Sequence, residues 1–297
     1  MKRLGLALGS GGFRGMAHIG VIKVLEKNNI PIRYVSGSSI GSVIGMLHVL
    51  GYTGRNMEKL ALDFTNNPPF RLALDPLALF CSILKIFLRR TGLISDSPLG
   101  IISGKRVCNY LYEFVGEKRF NELAKPLVIT ATDLKTGEAV AFVPDGFVLT
   151  QHSLGDTVCF YNRRIIDALR ASISIPGIFE PFTYEGRKLI DGGVKNSVPV
   201  DLLSCYRPGV NLAVDLGFDY QCDESINDPL AVAVQSLDIM GTEIARFNQE
   251  RYADLTLFPQ VGGVEKGRPD SARRGIQEGE KVAREKLARL KKYLSFI

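Results

Sequence analysis

The chain has 297 residues, of which 45% are hydrophobic and 23% are charged. These shares are typical of globular proteins and exclude a disordered chain, which would be poor in apolar residues. Lys and Arg outnumber Asp and Glu by 37 to 31, which gives a formal net charge of +6. This modest excess favours an anionic membrane surface or nucleic acid as a partner without establishing either.

The amino terminus predicts a first strand rather than a secretion signal. The apolar run Leu4–Leu8 breaks at once into glycines, whereas a signal peptide needs a longer apolar core and a cleavage site. No stretch reaches the roughly 18 apolar residues of a membrane span, and the longest candidate is 77–88. The five cysteines are scattered without a C-x-x-C pair, which argues against a zinc site or a disulfide framework. We therefore expect a cytoplasmic protein, since this cysteine usage fits a reducing compartment.

Hydrophobic periodicity along the chain predicts an α/β fold. The predicted strands are 4–8, 32–36, 126–131, 138–143, 188–190 and 210–215. The predicted helices are 16–27, 42–50, 165–172 and one that begins at about 271. Short alternating strands and helices of this kind imply a parallel sheet that is covered by helices on both faces.

Two domain-level segments are predicted: a catalytic domain at 1–263 and a basic amphipathic helix at 264–297, packed on the same domain. The last segment holds ten Lys or Arg against five Asp or Glu, so most of the net charge lies there. Its basic face is either simply solvated or meets anionic lipid. The apolar face consists of Ile276, Ala283, Leu287, Leu290 and Leu294. The segment 66–105 is apolar and poor in acids, which fits packing on the core, a lid or a lipid-facing surface.

The segment Gly37–Gly41 matches the G-x-S-x-G pattern of a nucleophile elbow. The short pattern is weak by itself, but an apolar strand ends near Val35 and an apolar helix follows the turn, as an elbow requires. Ser39 would then project at the carboxyl edge of the sheet, beside the positive end of the helix dipole. The alternative is an ordinary strand-to-helix turn in which the serine caps the helix.

A second glycine-rich loop, Gly9–Gly15, also joins a strand to a helix. A dinucleotide fingerprint needs a glycine where this chain has Arg14, and a P-loop needs a Gly-Lys-Ser/Thr sequence that is absent. We interpret the loop as an oxyanion hole, in which the N–H groups of Gly11 and Gly12 converge near a helix N-terminus. Arg14 fixes the loop or adds positive potential. The informative glycines thus cluster at 9–15, 37–41 and 192–193.

A catalytic base is harder to identify. A Ser-Asp-His triad in α/β-hydrolase order needs a late histidine, yet none follows His152, and His18 and His48 lie in predicted helices. A carboxylate is the next option, although its reference pKa of ~3.9 makes it a weak base that needs burial and a direct hydrogen bond to the serine. The candidate carboxylates are Asp191, Asp133, Asp167 and Asp215. Asp191 is the best placed of them, although local sequence does not rank them decisively.

Together these motifs resemble those of the patatin-like phospholipase family. The glycine-rich motif of that family, G-G-G-x-R/K-G, corresponds to 10–15, with Ser10 in place of the first glycine. The elbow corresponds to 37–41 and the family's D-G-G/A motif to 191–193. Two further blocks that resemble the family are 171–179 and 196–200.

The resemblance implies a three-layer α/β/α fold with a mostly parallel central sheet. It also implies a Ser-Asp dyad of Ser39 and Asp191, which selects Asp191 among the carboxylates, and an oxyanion hole at Gly11, Gly12 and Arg14. The expected function is a serine lipid acyl hydrolase of the phospholipase A or lysophospholipase type, acting through an acyl-enzyme. Its substrate would be a phospholipid or lysophospholipid, with no metal, no cofactor and no nucleic acid involved.

Two other functions and one further partner stay open at this point. The chain is alternatively a catalytically silent lipid-binding or regulatory protein that retains the fold, or a nucleotide-dependent enzyme that uses the glycine loop. Two segments are candidates for peripheral membrane contact: 77–90 and the basic C-terminal helix.

Overall fold

The computed structural model describes residues 2–66, 104–150, 156–217, 229–261 and 269–295. Its strands are β1 Leu4–Leu8, β2 Ile32–Ser38, β3 Leu127–Asp133, β4 Ala139–Val143, β5 Thr157–Tyr161, β6 Phe182–Tyr184, β7 Arg187–Asp191, β8 Val210–Val214 and β9 Leu255–Leu257. Its helices are α1 Met16–Lys27, α2 Ile40–Val49, α3 Gly54–Asn66, α4 Lys105–Val115, α5 Ile165–Ser172, α6 Val200–Ser204, α7 Pro229–Tyr252 and α8 Pro269–Ser295. Short 3₁₀ turns lie at Gly12–Gly15, Phe120–Glu122 and Gly192–Val194.

The strands of the described part form a single sheet in the order β5-β4-β3-β2-β1-β8-β9, with β7 paired to β3 and β6 paired to β7. β1 pairs in parallel with both β2 and β8, and the pairs β2/β3, β4/β5 and β8/β9 are also parallel. The antiparallel pairs are β3/β4, β3/β7 and β6/β7. The predicted α/β class with a mostly parallel central sheet is therefore confirmed.

Neighbouring residues of a strand point to opposite faces of the sheet. In this protein helices cover both faces. In β1, Leu6 and Leu8 join a cluster that includes residues of α1, α2 and α8. Between them, Ala7 joins a second cluster with Leu203 of α6 and Ala245 of α7. The result is the three-layer α/β/α arrangement that the sequence resemblance implies.

Every predicted strand and helix is present, and no observed end differs from the predicted one by more than two residues. The prediction omitted β5, β6 and β9 and the helices α3, α4, α6 and α7. β6 and β9 are three residues long, which is too short for an alternating pattern to be recognised.

The C-terminal helix packs along α1 with an unusually close approach of the two backbones. A Cβ added to Gly20 would lie 2.0 Å from the carbonyl oxygen of Ile276, and one added to Gly279 would lie 1.9 Å from that of Ala17. Leu290 is buried in the core. The apolar face that the sequence predicts is therefore the face that contacts the domain, while the boundary at 263 stays a prediction.

Several predictions concern residues 67–103 and 151–155, which lie outside the described residues. They include the membrane candidate 77–90 and His152. Across the ranges that the structure describes, no helix is long and apolar enough to cross a membrane. The same ranges contain no cluster of His, Cys, Asp or Glu side chains suited to a metal ion.

Candidate active site

Ser39 forms the whole turn between β2 and α2. The strand runs to Ser38 and the helix begins at Ile40, so both come closer to the serine than the sequence predicted. The backbone angles of Ser39 are φ 53° and ψ −124°, a strained conformation for a residue other than glycine. Its N–H donates to Ser172 Oγ at 2.9 Å, and its side chain is buried.

The elbow glycines are required because two backbones cross beneath Ser39. A Cβ on Gly37 would lie 2.5 Å from the carbonyl oxygen of Gly41. A Cβ on Gly41 would lie 2.2 Å from the carbonyl oxygen of Leu8, the last residue of β1. Real Cβ atoms do not approach backbone atoms so closely. A side chain at position 37 would therefore push the start of α2 away from β2, and one at position 41 would push the elbow away from β1.

Asp191 reaches Ser39 because β2 and β7 meet end to end along one side of β3. Ser38 of β2 pairs with Thr130, and Asp191 of β7 pairs with the next residue, Ala131. The opposite side of β3 is occupied by β4. The carboxyl ends of β2 and β7 therefore converge, and Ser39 Oγ donates to Asp191 Oδ2 at 2.5 Å.

The carboxylate of Asp191 is oriented by its own turn. The Gly193 N–H donates to Oδ1 at 2.7 Å, so the other oxygen, Oδ2, is the one that faces Ser39. The Asp191 N–H donates to the Ser174 carbonyl oxygen at 3.0 Å, and Thr132 Oγ1 donates to the Asp191 carbonyl oxygen at 3.2 Å. Only 5% of Asp191 is exposed, so this hydrogen-bonded carboxylate is held away from bulk water.

The other candidate carboxylates have partners elsewhere in the fold. Asp133 pairs with Arg187 Nη1 at 2.7 Å. Asp167 pairs with Arg164 at 2.9 Å, and Asp215 accepts a hydrogen bond from Gln249 at 2.6 Å.

The glycine-rich loop lies at the same edge as the elbow, as expected for adjacent parallel strands, since Leu8 pairs with Gly37. Gly11 has φ 149° and Gly12 has φ 55°, values that favour glycine. The Arg14 side chain donates to two backbone carbonyl oxygens, through Nη1 to Gly217 at 2.7 Å and through Nε to Gly11 at 3.3 Å. These contacts fit the expected role of Arg14 in fixing the loop.

Two of the three histidines are buried in the helices that flank the site. His18 Nε2 donates to the Gly9 carbonyl oxygen at 2.8 Å, and burial lowers the pKa of His18 to about 4. Burial, followed by the charge of Lys125, lowers the pKa of His48 to about 4. Both imidazoles are therefore neutral near pH 7, and His18 supports the first residue of the glycine loop.

The sequence did not identify Ser172 and Ser174 as parts of this site. They lie in the block 171–179, which was noted only for its resemblance to the family. Ser172 is 133 positions from Ser39 along the chain, and nothing in local spacing links the two. The helix α5 ends at Ser172, so only the packing of α5 under the elbow places this hydroxyl beside the Ser39 N–H.

Comparison with known proteins agrees with the motifs. The sequence model of the family described as patatin-like phospholipase matches residues 6–204. An uncharacterised NTE family protein of Mycobacterium bovis is 32% identical over 215 residues, covering 72% of this chain and 49% of the relative. Lysophospholipase NTE1 of Yarrowia lipolytica is 29% identical over 218 residues, covering 73% of this chain and 13% of the relative. The chain thus spans half the length or less of these curated relatives.

Among solved structures, VipD from Legionella pneumophila covers 97% of this chain and 67% of its own, at 13% identity and a TM-score of 0.46. The family match covers most of the chain and includes the glycine-rich loop, the elbow and the Asp191 turn. The chain belongs to the patatin-like phospholipase family.

Proposed function

We propose that this protein is a serine lipid acyl hydrolase of the phospholipase A or lysophospholipase type, with Ser39 as nucleophile and Asp191 as general base. The observation that carries the proposal is the 2.5 Å hydrogen bond from Ser39 Oγ to Asp191 Oδ2. A buried serine in a strained turn, bonded directly to a buried carboxylate, is the arrangement that activated nucleophiles require.

In the first half of the proposed reaction, Asp191 Oδ2 accepts the Ser39 hydroxyl proton while Oγ attacks the ester carbonyl carbon. A carboxylate has a reference pKa of ~3.9 and is a weak base, so its direct contact with Oγ matters. The hydrogen bond from the Gly193 N–H to Oδ1 keeps Oδ2 aimed at the serine. Asp191 then passes the proton to the departing alcohol oxygen, which leaves an acyl ester on Ser39.

The negative charge that develops on the ester oxygen needs donors nearby, and we assign this role to the N–H groups of Gly11 and Gly12. Their loop leads into α1, whose N-terminal dipole end favours a negative charge. Arg14 holds the loop through carbonyl oxygens of Gly11 and Gly217, so we assign it a supporting role in the oxyanion hole. Loss of one oxyanion donor typically costs about 3–4 kcal/mol of activation free energy.

In the second half, Asp191 Oδ2 takes a proton from a water molecule whose oxygen attacks the acyl carbonyl. The proton then returns to Ser39 Oγ as the fatty acid leaves, which restores the starting state. We propose phospholipids or lysophospholipids as substrates because the chain belongs to a phospholipase family and a fungal relative bears the name lysophospholipase.

For peripheral membrane contact, we propose the second half of α8 as the surface. Its basic residues after Gly279 are Lys281, Arg284, Lys286, Arg289, Lys291 and Lys292. The Lys2 N–H donates to the Leu294 carbonyl oxygen at 3.0 Å, so this half of α8 ends beside the start of β1, whereas the elbow lies at the other end of that strand. Anionic lipid bound there would anchor the protein without covering the site. Unchanged binding to anionic vesicles after Lys291→Glu with Lys292→Glu contradicts this contact.

The function is tested by turnover of a soluble chromogenic fatty ester and by labelling with a fluorophosphonate. Ser39→Ala should abolish both, and Asp191→Asn should lower kcat by about 10³-fold or more, since the general base is lost. Matched controls are Ser204→Ala on α6 and Asp167→Asn on α5, whose side chains bond to the Asp201 carbonyl oxygen and to Arg164 rather than to Ser39 or Asp191. Both variants should keep kcat within about twofold.

Turnover that survives Ser39→Ala contradicts the assignment of the nucleophile. A wild-type protein that binds lysophospholipid but neither reacts with the fluorophosphonate nor cleaves esters supports the silent lipid-binding alternative instead.

A further inference from the structure

Ser10 is the one position in the glycine-rich loop where this chain departs from the family motif, which has a glycine there. Its backbone N–H donates to the Ser197 carbonyl oxygen at 2.8 Å. Its hydroxyl shares a second hydrogen bond with the hydroxyl of Ser197, with an Oγ–Oγ distance of 2.5 Å. Ser10 is therefore attached at two points to the segment that follows the Asp191 turn.

The side chain of Ser10 also contacts the Asp191 turn itself. A Cβ added to Gly193 would lie 2.8 Å from Ser10 Oγ and 3.0 Å from Ser10 Cβ. Gly193 is the residue whose N–H orients the Asp191 carboxylate, at 2.7 Å from Oδ1. The side chain of Ser10 thus fills the space that a side chain at 193 would need.

These contacts connect the two halves of the proposed site. On one side of Ser10 the chain continues into Gly11, with φ 149°, and on to the N–H groups assigned to the oxyanion. On the other side lies the turn that presents the base. A shift of about 1 Å in such a spacing can cost about 100-fold in rate.

We propose that Ser10 is a positioning residue that sets the spacing between the oxyanion loop and the Asp191 turn, and that its side chain makes glycine obligatory at position 193. The expected effect of Ser10 on kcat rests on the proposed function, whereas the steric part, the clash between Ser10 and a side chain at position 193, rests on packing alone.

The steric part predicts an interaction between two motifs that is specific to this chain. The family motif allows alanine at the position of Gly193, but alanine there meets Ser10 in this protein. When Ser10 is replaced by glycine, the nearest remaining atom is Asp191 Oδ1, at 3.1 Å from the added Cβ. This contact is longer than the two that Ser10 makes, so Gly193→Ala should be tolerated better in the Ser10→Gly background.

The experiment compares the wild type, Ser10→Gly, Ser197→Ala, Gly193→Ala and the double variant Ser10→Gly with Gly193→Ala. We expect Ser10→Gly and Ser197→Ala each to lower kcat on a soluble monomeric ester by about tenfold with little change in KM, because only transition-state alignment is disturbed. Gly193→Ala should lower kcat by about 100-fold, and the double variant should recover about tenfold of that loss.

Thermal unfolding of the same variants separates this inference from the proposed function. Gly193→Ala should lower Tm, and adding Ser10→Gly should raise it again, whether or not the protein cleaves esters. A double variant with a Tm and a kcat no higher than those of Gly193→Ala overturns the steric pairing. An unchanged kcat for both Ser10→Gly and Ser197→Ala, in a wild type that is active and labelled at Ser39, overturns the positioning role.

Discussion

Two regions of this protein use glycine to bring backbones together, and they do so for different ends. Under the elbow, Gly41 lets α2 cross the end of β1, where an added Cβ would lie 2.2 Å from the Leu8 carbonyl oxygen. Between α1 and α8, Gly279 allows an even closer approach, because a Cβ added there would lie 1.9 Å from the Ala17 carbonyl oxygen. The first crossing fixes the position of Ser39 relative to the glycine-rich loop, whereas the second attaches the C-terminal helix to the domain.

Both regions need glycine where two backbones approach closely, but only at the elbow does a sequence motif indicate this need. The elbow glycines lie four residues apart in a recognisable motif. Gly20 and Gly279 lie in different helices near opposite ends of the chain, so no motif joins them. The glycine clusters recognised from sequence, at 9–15, 37–41 and 192–193, therefore omit a pair that is just as constrained.

The strongest test of this contrast is Gly41→Ala. The added methyl group would push α2 away from Leu8 and so move Ser39 relative to the oxyanion loop. We expect kcat on a soluble ester to fall by about 100-fold or more. The control is Gly45→Ala, one turn later in α2, where an added Cβ would meet a side-chain atom, Val35 Cγ1 at 2.9 Å, and not backbone. Equal kcat losses in the two variants would contradict the claim that the crossing at Gly41 positions Ser39.

At the helix pair, Gly279→Ala should mainly reduce stability. Overpacking of this kind costs about 1–3 kcal/mol, and we expect the upper end because the obstacle is backbone. The kcat of the folded fraction should change by less than about threefold, because α8 can move outward while α1 stays packed on the sheet. Urea unfolding measures the loss of free energy.

Gly275→Ala is the matched control for the helix pair. Its added Cβ would meet Met16 Cβ at 3.1 Å, and alanine is better than glycine inside a helix by about 1 kcal/mol. Its unfolding free energy should stay close to that of the wild type, because the tight contact with Met16 offsets the helix preference for alanine. A Gly279→Ala protein as stable as Gly275→Ala contradicts the close crossing.

The smallest effect concerns His18, which links α1 to the glycine loop. Burial lowers its pKa to about 4 in the folded protein, against an ordinary value of 6.5 for histidine. Unfolding therefore takes up a proton between these values, so the stabilisation is complete above pH 6.5 and is lost as the pH falls towards 4. We expect about 2 kcal/mol less unfolding free energy at pH 5 than at pH 7 from this group.

His18→Gln should reduce that pH dependence, because glutamine can still donate to the Gly9 carbonyl oxygen but does not titrate. His48 has a pKa lowered in the same direction, so about half of the dependence should remain. Urea unfolding of both proteins at pH 5 and pH 7 measures the difference. An identical dependence in the wild type and His18→Gln contradicts the buried neutral state of His18.

Sequence by itself determined the local parts of this protein. Alternating apolar strands and amphipathic helices have periods of a few residues, so β1, α1, β2, α2 and the β3–β4 pair could be predicted from short windows. The turns at Gly9–Gly15 and Gly37–Gly41 were recognisable because their glycines lie within a few residues of one another, between a predicted strand and a predicted helix. The resemblance of several motifs to one family then supplied a function to expect.

Only the tertiary structure decided which distant groups meet. The residues alone left four carboxylates open, and the resemblance selected Asp191. Its contact with Ser39 exists because β7 continues along β3 where β2 ends. Packing likewise brings Ser172 to Ser39, Ser10 to Gly193, and Gly20 to Ile276 of α8. The physical reason is that strand pairing and helix docking join residues far apart in the chain, and no local period records which partners they will be.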